Sequence, residues 1–120
     1  MIALPTRPPR RVTHTTLVSE IRAAVNRLPG CHVWLNAVGE HHCDERHLVY
    51  GLAVGSADLV GIASGRFVAL EVKVGRDRLS PEQRAWLAHV RELGGVAVVV
   101  RSVDEALEAC RDIIAAYSAT

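Results

Sequence analysis

Three charged residues in the middle of the chain, Asp58, Glu71 and Lys73, have side chains that could bind a metal ion and act on a phosphodiester bond. Glu71 and Lys73 lie two residues apart among strand-forming residues, so both side chains project from one face of a strand, together with the small Ala69. Asp58 opens the preceding strand, and a hairpin would bring its carboxylate beside that of Glu71. Adjacent carboxylates repel each other, and a divalent cation that prefers oxygen ligands, Mg²⁺ or Mn²⁺, would relieve the repulsion.

Lys73 is the only lysine among the 14 basic residues, all the others being arginine. A lysine beside such a metal can orient or deprotonate a water molecule and stabilise the charge that develops on a phosphate. Arginine cannot easily lose a proton, which gives a chemical reason for a lysine at this position. The alternative is an ordinary surface ion pair between Glu71 and Lys73, with Asp58 as a turn residue. The spacing by itself leaves both interpretations open.

The apolar spacing predicts an α/β domain with seven elements in the order α-β-β-β-α-β-α. A mixed sheet flanked by helices follows, because strands joined by a hairpin are antiparallel and strands joined by a helix are parallel. The first three strands are expected to form a meander. The predicted elements are a helix over 17–28, strands over 32–38, 57–63 and 66–74, a helix from Ser80 to Leu93, a strand over 96–100 and a helix after Ser102. A long polar connection is expected over residues 39–55.

The composition is that of an ordinary globular domain: 120 residues, 49% hydrophobic and 22% charged. We expect residues 1–12 to be a flexible basic arm, carrying Arg7, Arg10 and Arg11, and residues 13–120 to form one domain. The net charge of +1 indicates no global basic field, and no apolar run approaches the ~18 residues that a membrane span requires. Three scattered cysteines do not suggest a disulfide framework. We therefore expect a cytoplasmic protein without a membrane partner. The use of arginine in place of lysine and the small size favour a bacterial or phage-infected host cell as its source.

Four segments in order extend the pattern around the three charged residues: GSADLV at 55–60, LEVK at 70–73, LSPEQRAWL at 79–87 and GGVAVVVRS at 94–102. Together they closely resemble the VRR-NUC domain of the PD-(D/E)XK nuclease superfamily, over roughly residues 16–108. One departure is Ala57, where the superfamily pattern has proline before the aspartate. That proline shapes the backbone and supplies no ligand.

The resemblance implies a restriction-endonuclease-like core and a DNA endonuclease that depends on Mg²⁺ or Mn²⁺. It implies that Asp58, Glu71 and the backbone carbonyl of Val72 bind the metal, and that Lys73 positions the attacking water. Gln83 would lie near the site from the following helix.

Further candidates each have a structural alternative. Glu20 on the first helix is a candidate metal ligand, or a charge at the border of the apolar face. Gln83 also completes a capping box with the Ser80 that begins its helix. The candidate DNA-binding residues, whose alternative is a solvated turn or surface position, are Asn36, Arg76, Arg78 and Arg84.

The resemblance also implies a homodimer acting on branched DNA, as Holliday-junction resolvases do. Two alternatives stay open. One is a module of the same fold that binds branched DNA without cleaving it. The other is a zinc-dependent interaction protein that uses His41, His42, Cys43 and His47, although their spacing matches no standard zinc pattern.

Overall fold

The computed structural model describes residues 12–43 and 46–118, and it describes side chains outside residues 40–50. The predicted basic arm therefore lies outside the described residues, except for Val12. The described elements are α1 (His14–Val25), β1 (Cys31–Leu35), β2 (Gly39–Cys43), β3 (Arg46–Tyr50), β4 (Leu59–Ala63), β5 (Arg66–Val72), α2 (Pro81–Glu92), β6 (Val96–Val100) and α3 (Val103–Tyr117).

The central sheet has four strands in the order β1-β4-β5-β6. β1, β4 and β5 pair antiparallel as a meander, and the tight β4–β5 turn at Ser64 and Gly65 uses positive φ angles of 47° and 80°. β5 and β6 are parallel and are connected through α2. The structure thus confirms a mixed sheet flanked by helices, with the meander and the parallel unit expected from the sequence.

The prediction of a long connection over residues 39–55 is wrong. β2 and β3 pair antiparallel as a separate two-stranded sheet, so the element order contains two more strands than predicted. Strand prediction depends on alternating apolar residues, which arise where one face of a sheet is buried. The segment GEHHC has no such alternation because β2 is outside the central sheet.

The predicted strands 32–38, 57–63 and 66–74 are shorter in the structure: β1 ends at Leu35, β4 begins at Leu59 and β5 ends at Val72. The β4–β5 ladder stops because the backbone N–H of Val72 donates to the carboxylate Oδ2 of Asp58, at 2.8 Å, and not to a backbone carbonyl. Asp58 and Lys73 therefore lie just outside the strand ends, where the sheet opens.

Two apolar clusters place helices on both faces of the sheet. The larger cluster packs α1 and α3 against one face, and the smaller packs α2 against the other. β5 alternates between them, with Val68, Leu70 and Val72 in the larger cluster and Ala69 in the smaller one. Glu71 therefore lies on the face of Ala69, as the sequence predicted, and α2 packs on that face. Within the described residues, no helix is both long and apolar enough to cross a membrane.

Candidate active site

The segment that ends in Asp58 is held in place by Asn36, at the end of β1. The Asn36 side-chain N–H₂ group donates to Ser56 Oγ at 2.7 Å and to the Ala57 carbonyl at 2.8 Å, and its backbone N–H donates to the Asp58 carbonyl at 2.8 Å. On the other side, Gly55 has a φ of +87°, and a Cβ there would lie 2.7 Å from the backbone of Glu82. Asn36, predicted to contact DNA, therefore uses its side-chain donors to fix the backbone that presents Asp58.

Glu71 is the charged residue that is buried in the described structure, with 2% of its surface exposed. Its Oε1 accepts a hydrogen bond from Gln83 Nε2 at 3.3 Å and lies 3.8 Å from Lys73 Nζ. Its Oε2 is the one buried side-chain nitrogen or oxygen in the described residues that has no hydrogen-bond partner. A buried carboxylate oxygen without a partner costs free energy, and a cation would remove that cost.

Burial, the largest cause, and the nearby Asp58 carboxylate together raise the pKa of Glu71 to about 8, against an opposing effect of Lys73. The physical cause is that the charged form is poorly solvated and is repelled by a second negative charge. The cluster without a cation therefore holds one carboxyl group protonated near neutral pH. A divalent ion at this position would instead favour both carboxylates.

The start of α2 holds the side chains of Lys73 and Gln83 in contact. Lys73 Nζ donates to Gln83 Oε1 at 2.8 Å, and the backbone N–H of Ser80 donates to the same oxygen at 2.9 Å. The Ser80 hydroxyl accepts from the Gln83 backbone N–H at 3.1 Å, which completes the capping box. Gln83 is therefore both the helix cap and a neighbour of the charged cluster. The same backbone geometry that begins the helix positions the lysine.

His14, the first residue of α1, reaches the same cluster and was missed by the sequence reasoning. Its Nε2 lies 3.1 Å from the Val72 carbonyl oxygen and 3.3 Å from Asp58 Oδ2. A signal was present: His14 precedes the buried Val18 and Ile21 by four and seven residues, so it shares their face of the helix. The imidazole, with 51% of its surface exposed, stands at the mouth of the site.

The structure brings His14, and not Glu20, against Asp58. Glu20 lies on the same helix, but it is exposed, and at 100° per residue it projects about 120° away from His14. A cleft of about 200 Å³ between α1 and the sheet is lined by His14, Thr15, Val18, Ser19, Leu35 and Asp58.

The arginines predicted to contact DNA are exposed. Arg76 and Arg78 lie in the turn after β5, and Arg84 lies on α2. The guanidinium of Arg101 donates to the carbonyls of Gly75 and Asp77, both at 2.8 Å, and so fixes the turn that carries Arg76. Arg101 is a second residue that sequence reasoning missed, since its position after a buried strand carries no signal of this long-range contact.

A larger cavity of about 530 Å³ lies away from this cluster, between β6 and α3. Its lining includes Glu105, Glu108 and Asp112, together with Arg101. Three carboxylates make this cavity unsuited to a polyanion, so its volume is no argument for a nucleic-acid site.

The zinc alternative rests on His41, His42, Cys43 and His47, whose side chains lie outside the described residues. The backbone register of β2 and β3 pairs His42 with His47. The zinc hypothesis stays a prediction. Among the described side chains, no group of three or more histidine, cysteine or acidic residues forms a ready metal cage.

The donors around Glu71 nevertheless suit a hard divalent cation. Asp58 and Glu71 offer two carboxylates and Glu71 Oε2 has no partner. The Val72 carbonyl and Asp58 Oδ2 both lie within 3.3 Å of the same His14 nitrogen. Mg²⁺ is commonly held by one or two carboxylates with water and substrate phosphate completing its shell, and so needs no closed protein cage. The residues present therefore fit such an ion.

The VRR-NUC domain family matches residues 17–104. No curated protein matches the chain significantly. The matched range covers most of the chain and includes Asp58, Glu71, Lys73 and Gln83, whereas His14 lies three residues before it. The family name denotes a nuclease domain, which implies a nuclease-type function in DNA processing. The chain therefore belongs to the VRR-NUC domain family.

Proposed function

We propose that the protein is an endodeoxyribonuclease that depends on Mg²⁺ or Mn²⁺ and hydrolyses phosphodiester bonds in branched DNA. The observation that carries the proposal is the buried carboxylate of Glu71, which lies beside Asp58 and has one oxygen without a partner. Two carboxylates are rarely held together in a low-dielectric environment unless a cation or a proton compensates them.

In this proposal, Asp58, Glu71 and the Val72 carbonyl hold the ion. The bound ion supplies positive charge to the scissile phosphate and lowers the pKa of the attacking water. The Asp58 carboxylate is kept in place by the N–H of Val72, at 2.8 Å, so its orientation is set before the ion binds. This preorganisation lowers the cost of assembling the centre.

Lys73 acts on the water and on the phosphate. Its ammonium group is held by Gln83 Oε1 at 2.8 Å and lies 3.8 Å from Glu71 Oε1, which directs it into the cluster. There it orients the attacking water and stabilises the negative charge that develops on the phosphate oxygens. Gln83 is a positioning residue, because it contacts Lys73 and Glu71 and not the reacting atoms.

The DNA would approach across the exposed arginines. Arg76 and Arg78 follow Lys73 in the turn after β5, and Arg84 follows Gln83 on α2, and all three are exposed. Phosphate contacts from such residues position a duplex without reading its sequence. This arrangement agrees with selection by DNA structure. It assigns no base-specific contact.

A homodimer is the second part of the proposal. Trp34, Ile62 and Phe67 lie on one face of β1, β4 and β5 and are 47%, 51% and 40% exposed, so an apolar patch extends over adjacent strands. β1 is also one of the two edge strands of the central sheet within the described residues. Exposed apolar patches and unpaired edges are surfaces that a second copy can cover. A twofold dimer would present two sites to the two strands of a junction.

The test is a cleavage assay with Mg²⁺ and with Mn²⁺ on labelled four-way junction, flap, duplex and single-stranded DNA. Wild-type protein is compared with E71Q and K73M, and with E92Q as the matched control, since Glu92 is exposed on α2. Paired, symmetric nicks in the junction that disappear in E71Q and K73M but persist in E92Q are expected. Cleavage of flaps or single strands alone would support the nuclease function and contradict the specificity for junctions. Junction binding without cleavage under any condition would favour the non-cleaving module.

A further inference from the structure

His14 makes two contacts at the candidate metal site that the proposed ligand set does not explain. Its Nε2 atom approaches the Val72 carbonyl oxygen at 3.1 Å and Asp58 Oδ2 at 3.3 Å. Thr13 caps the helix before it by accepting the Thr16 N–H at 3.2 Å, which fixes the backbone from which the imidazole projects. One nitrogen atom is thus placed between the two oxygen donors.

These distances are those of neighbouring ligands around one ion. In an octahedral shell with bonds of about 2.1 Å, adjacent ligand atoms lie about 3.0 Å apart. The same distances also suit a hydrogen bond, but the nitrogen lies close to two atoms of the proposed ligand set at once, so an ion bound to both oxygens would lie within reach of it. The ring is half exposed, so an ion and its water can reach Nε2 from solvent.

We propose that Nε2 of His14 is an additional ligand of the metal, so that the site has mixed nitrogen and oxygen donors and prefers Mn²⁺ to Mg²⁺. This inference rests on the metal dependence of the proposed function. Mg²⁺ takes oxygen ligands almost exclusively, whereas divalent transition metals accept imidazole, with Mn²⁺ the weakest of their series. With the proton on Nδ1, Nε2 presents its lone pair to the ion.

His14 lies outside the part of the chain that matches the family, which begins at Leu17, so the family match does not supply this ligand. The competing interpretation is structural: His14 would only donate a hydrogen bond that stabilises Asp58 and the end of β5. Both interpretations predict that removal of His14 has an effect, so the experiment must observe the metal–nitrogen contact itself.

The experiment is a Mn²⁺ titration without DNA, followed by pulsed electron paramagnetic resonance on the bound ion. Wild-type protein is compared with H14A, H14E and H89A, and Mg²⁺ competition gives the ratio of the two affinities. His89 is the matched control because it is an exposed histidine on α2, beside Glu92. Thermal unfolding of each metal-free protein establishes that the variants are folded.

Wild type and H89A are expected to show nitrogen hyperfine coupling to Mn²⁺, and H14A is expected to lose it. Loss of partners that only orient ligands costs about 10- to 100-fold in metal affinity, so loss of His14 should weaken Mn²⁺ binding at least tenfold. H14E supplies a carboxylate in place of the imidazole, so that every ligand is an oxygen atom. The ratio of the Mn²⁺ affinity to the Mg²⁺ affinity should then fall by about tenfold.

Absence of nitrogen coupling in wild type, or its persistence in H14A, would overturn the inference. If the wild-type protein cleaves DNA with Mn²⁺ but shows no coupling, the nuclease proposal stands and the ligand role of His14 fails. If the wild-type protein shows coupling that depends on His14 but cleaves no DNA, His14 is a metal ligand and the nuclease proposal fails. If the wild-type protein binds no metal, both the ligand role of His14 and the metal-dependent nuclease proposal fail.

Discussion

Replacement of Glu71 by glutamine is expected to remove a decrease in the stability of the metal-free protein as pH rises. Glu71 is 2% exposed, and burial raises its pKa to about 8, from 4.5 for an ordinary glutamate. Between these two values the folded state binds a proton that the unfolded state has lost. The free energy of unfolding therefore decreases as pH rises through this window, by up to about 1.4 kcal/mol per pH unit. This direction is opposite to that of a carboxylate that gains a salt bridge on folding.

The whole difference corresponds to about 4 to 5 kcal/mol, of which about 3 kcal/mol falls between pH 5 and pH 8. Such an effect is large beside the 5–15 kcal/mol typical of a domain. In E71Q the amide carries no charge, so this loss should be absent. The variant should be close to wild type at pH 5 and more stable by about 3 kcal/mol at pH 8.

The assay is urea unfolding in the presence of a chelator at pH 5, 6, 7 and 8 for wild type, E71Q and E92Q. The difference between wild type and each variant removes the contribution of the groups that the two proteins share. E92Q is the control, because Glu92 is exposed and its contact with His89 at 3.9 Å is solvated, so its difference should vary with pH far less than that of E71Q. Parallel pH profiles for wild type and E71Q would refute the reasoning, since they would mean that Glu71 is ionised in the folded metal-free protein at pH 5 to 8. Addition of Mn²⁺ at pH 8 should stabilise wild type and leave E71Q unchanged.

Three further predictions concern the groups around Glu71. K73M should lose cleavage while it keeps Mn²⁺ binding, measured by calorimetry, because Lys73 contacts Gln83 and Glu71 and is not in the ligand set; loss of Mn²⁺ binding would assign it to the metal. Q83A should lower both unfolding stability and cleavage rate, whereas S80A should cost only about 1 kcal/mol of stability, as loss of a helix cap does; equal cleavage by Q83A and S80A would remove the positioning role. R76A and R78A should each weaken DNA binding for all sequences and reduce the slope of log affinity against log salt by about one, measured by fluorescence anisotropy, and an unchanged slope would place them away from the phosphates.

The order of the central elements could be predicted because the physical signals are local. The alternation in β5, the capping box at Ser80 and the turn at Ser64 and Gly65 each depend on a few adjacent residues. β2 and β3 could not be predicted, because they form a separate sheet and lack the periodic apolar face that a buried strand requires.

The candidate site was predictable in part for the same reason. Asp58, Glu71, Lys73 and Gln83 lie in ordered motifs, and the structure brings them together. His14 was not predicted, although its contacts are as close, because a histidine at a helix start carries no metal-ligand spacing relative to a residue 44 positions later.

The sequence by itself determined the family resemblance and the candidate residues, since two carboxylates and a single lysine lie in ordered motifs, but their spacing left an ordinary ion pair open. Only the tertiary structure decided which atoms are available for chemistry. Beyond the end of the β4–β5 ladder, the Val72 carbonyl faces His14. The packing of α2 buries Glu71 and leaves its Oε2 atom without a partner. Asn36 holds the backbone next to Asp58. These properties arise from contacts between residues far apart in the chain, and burial and geometry of that kind have no local sequence signal.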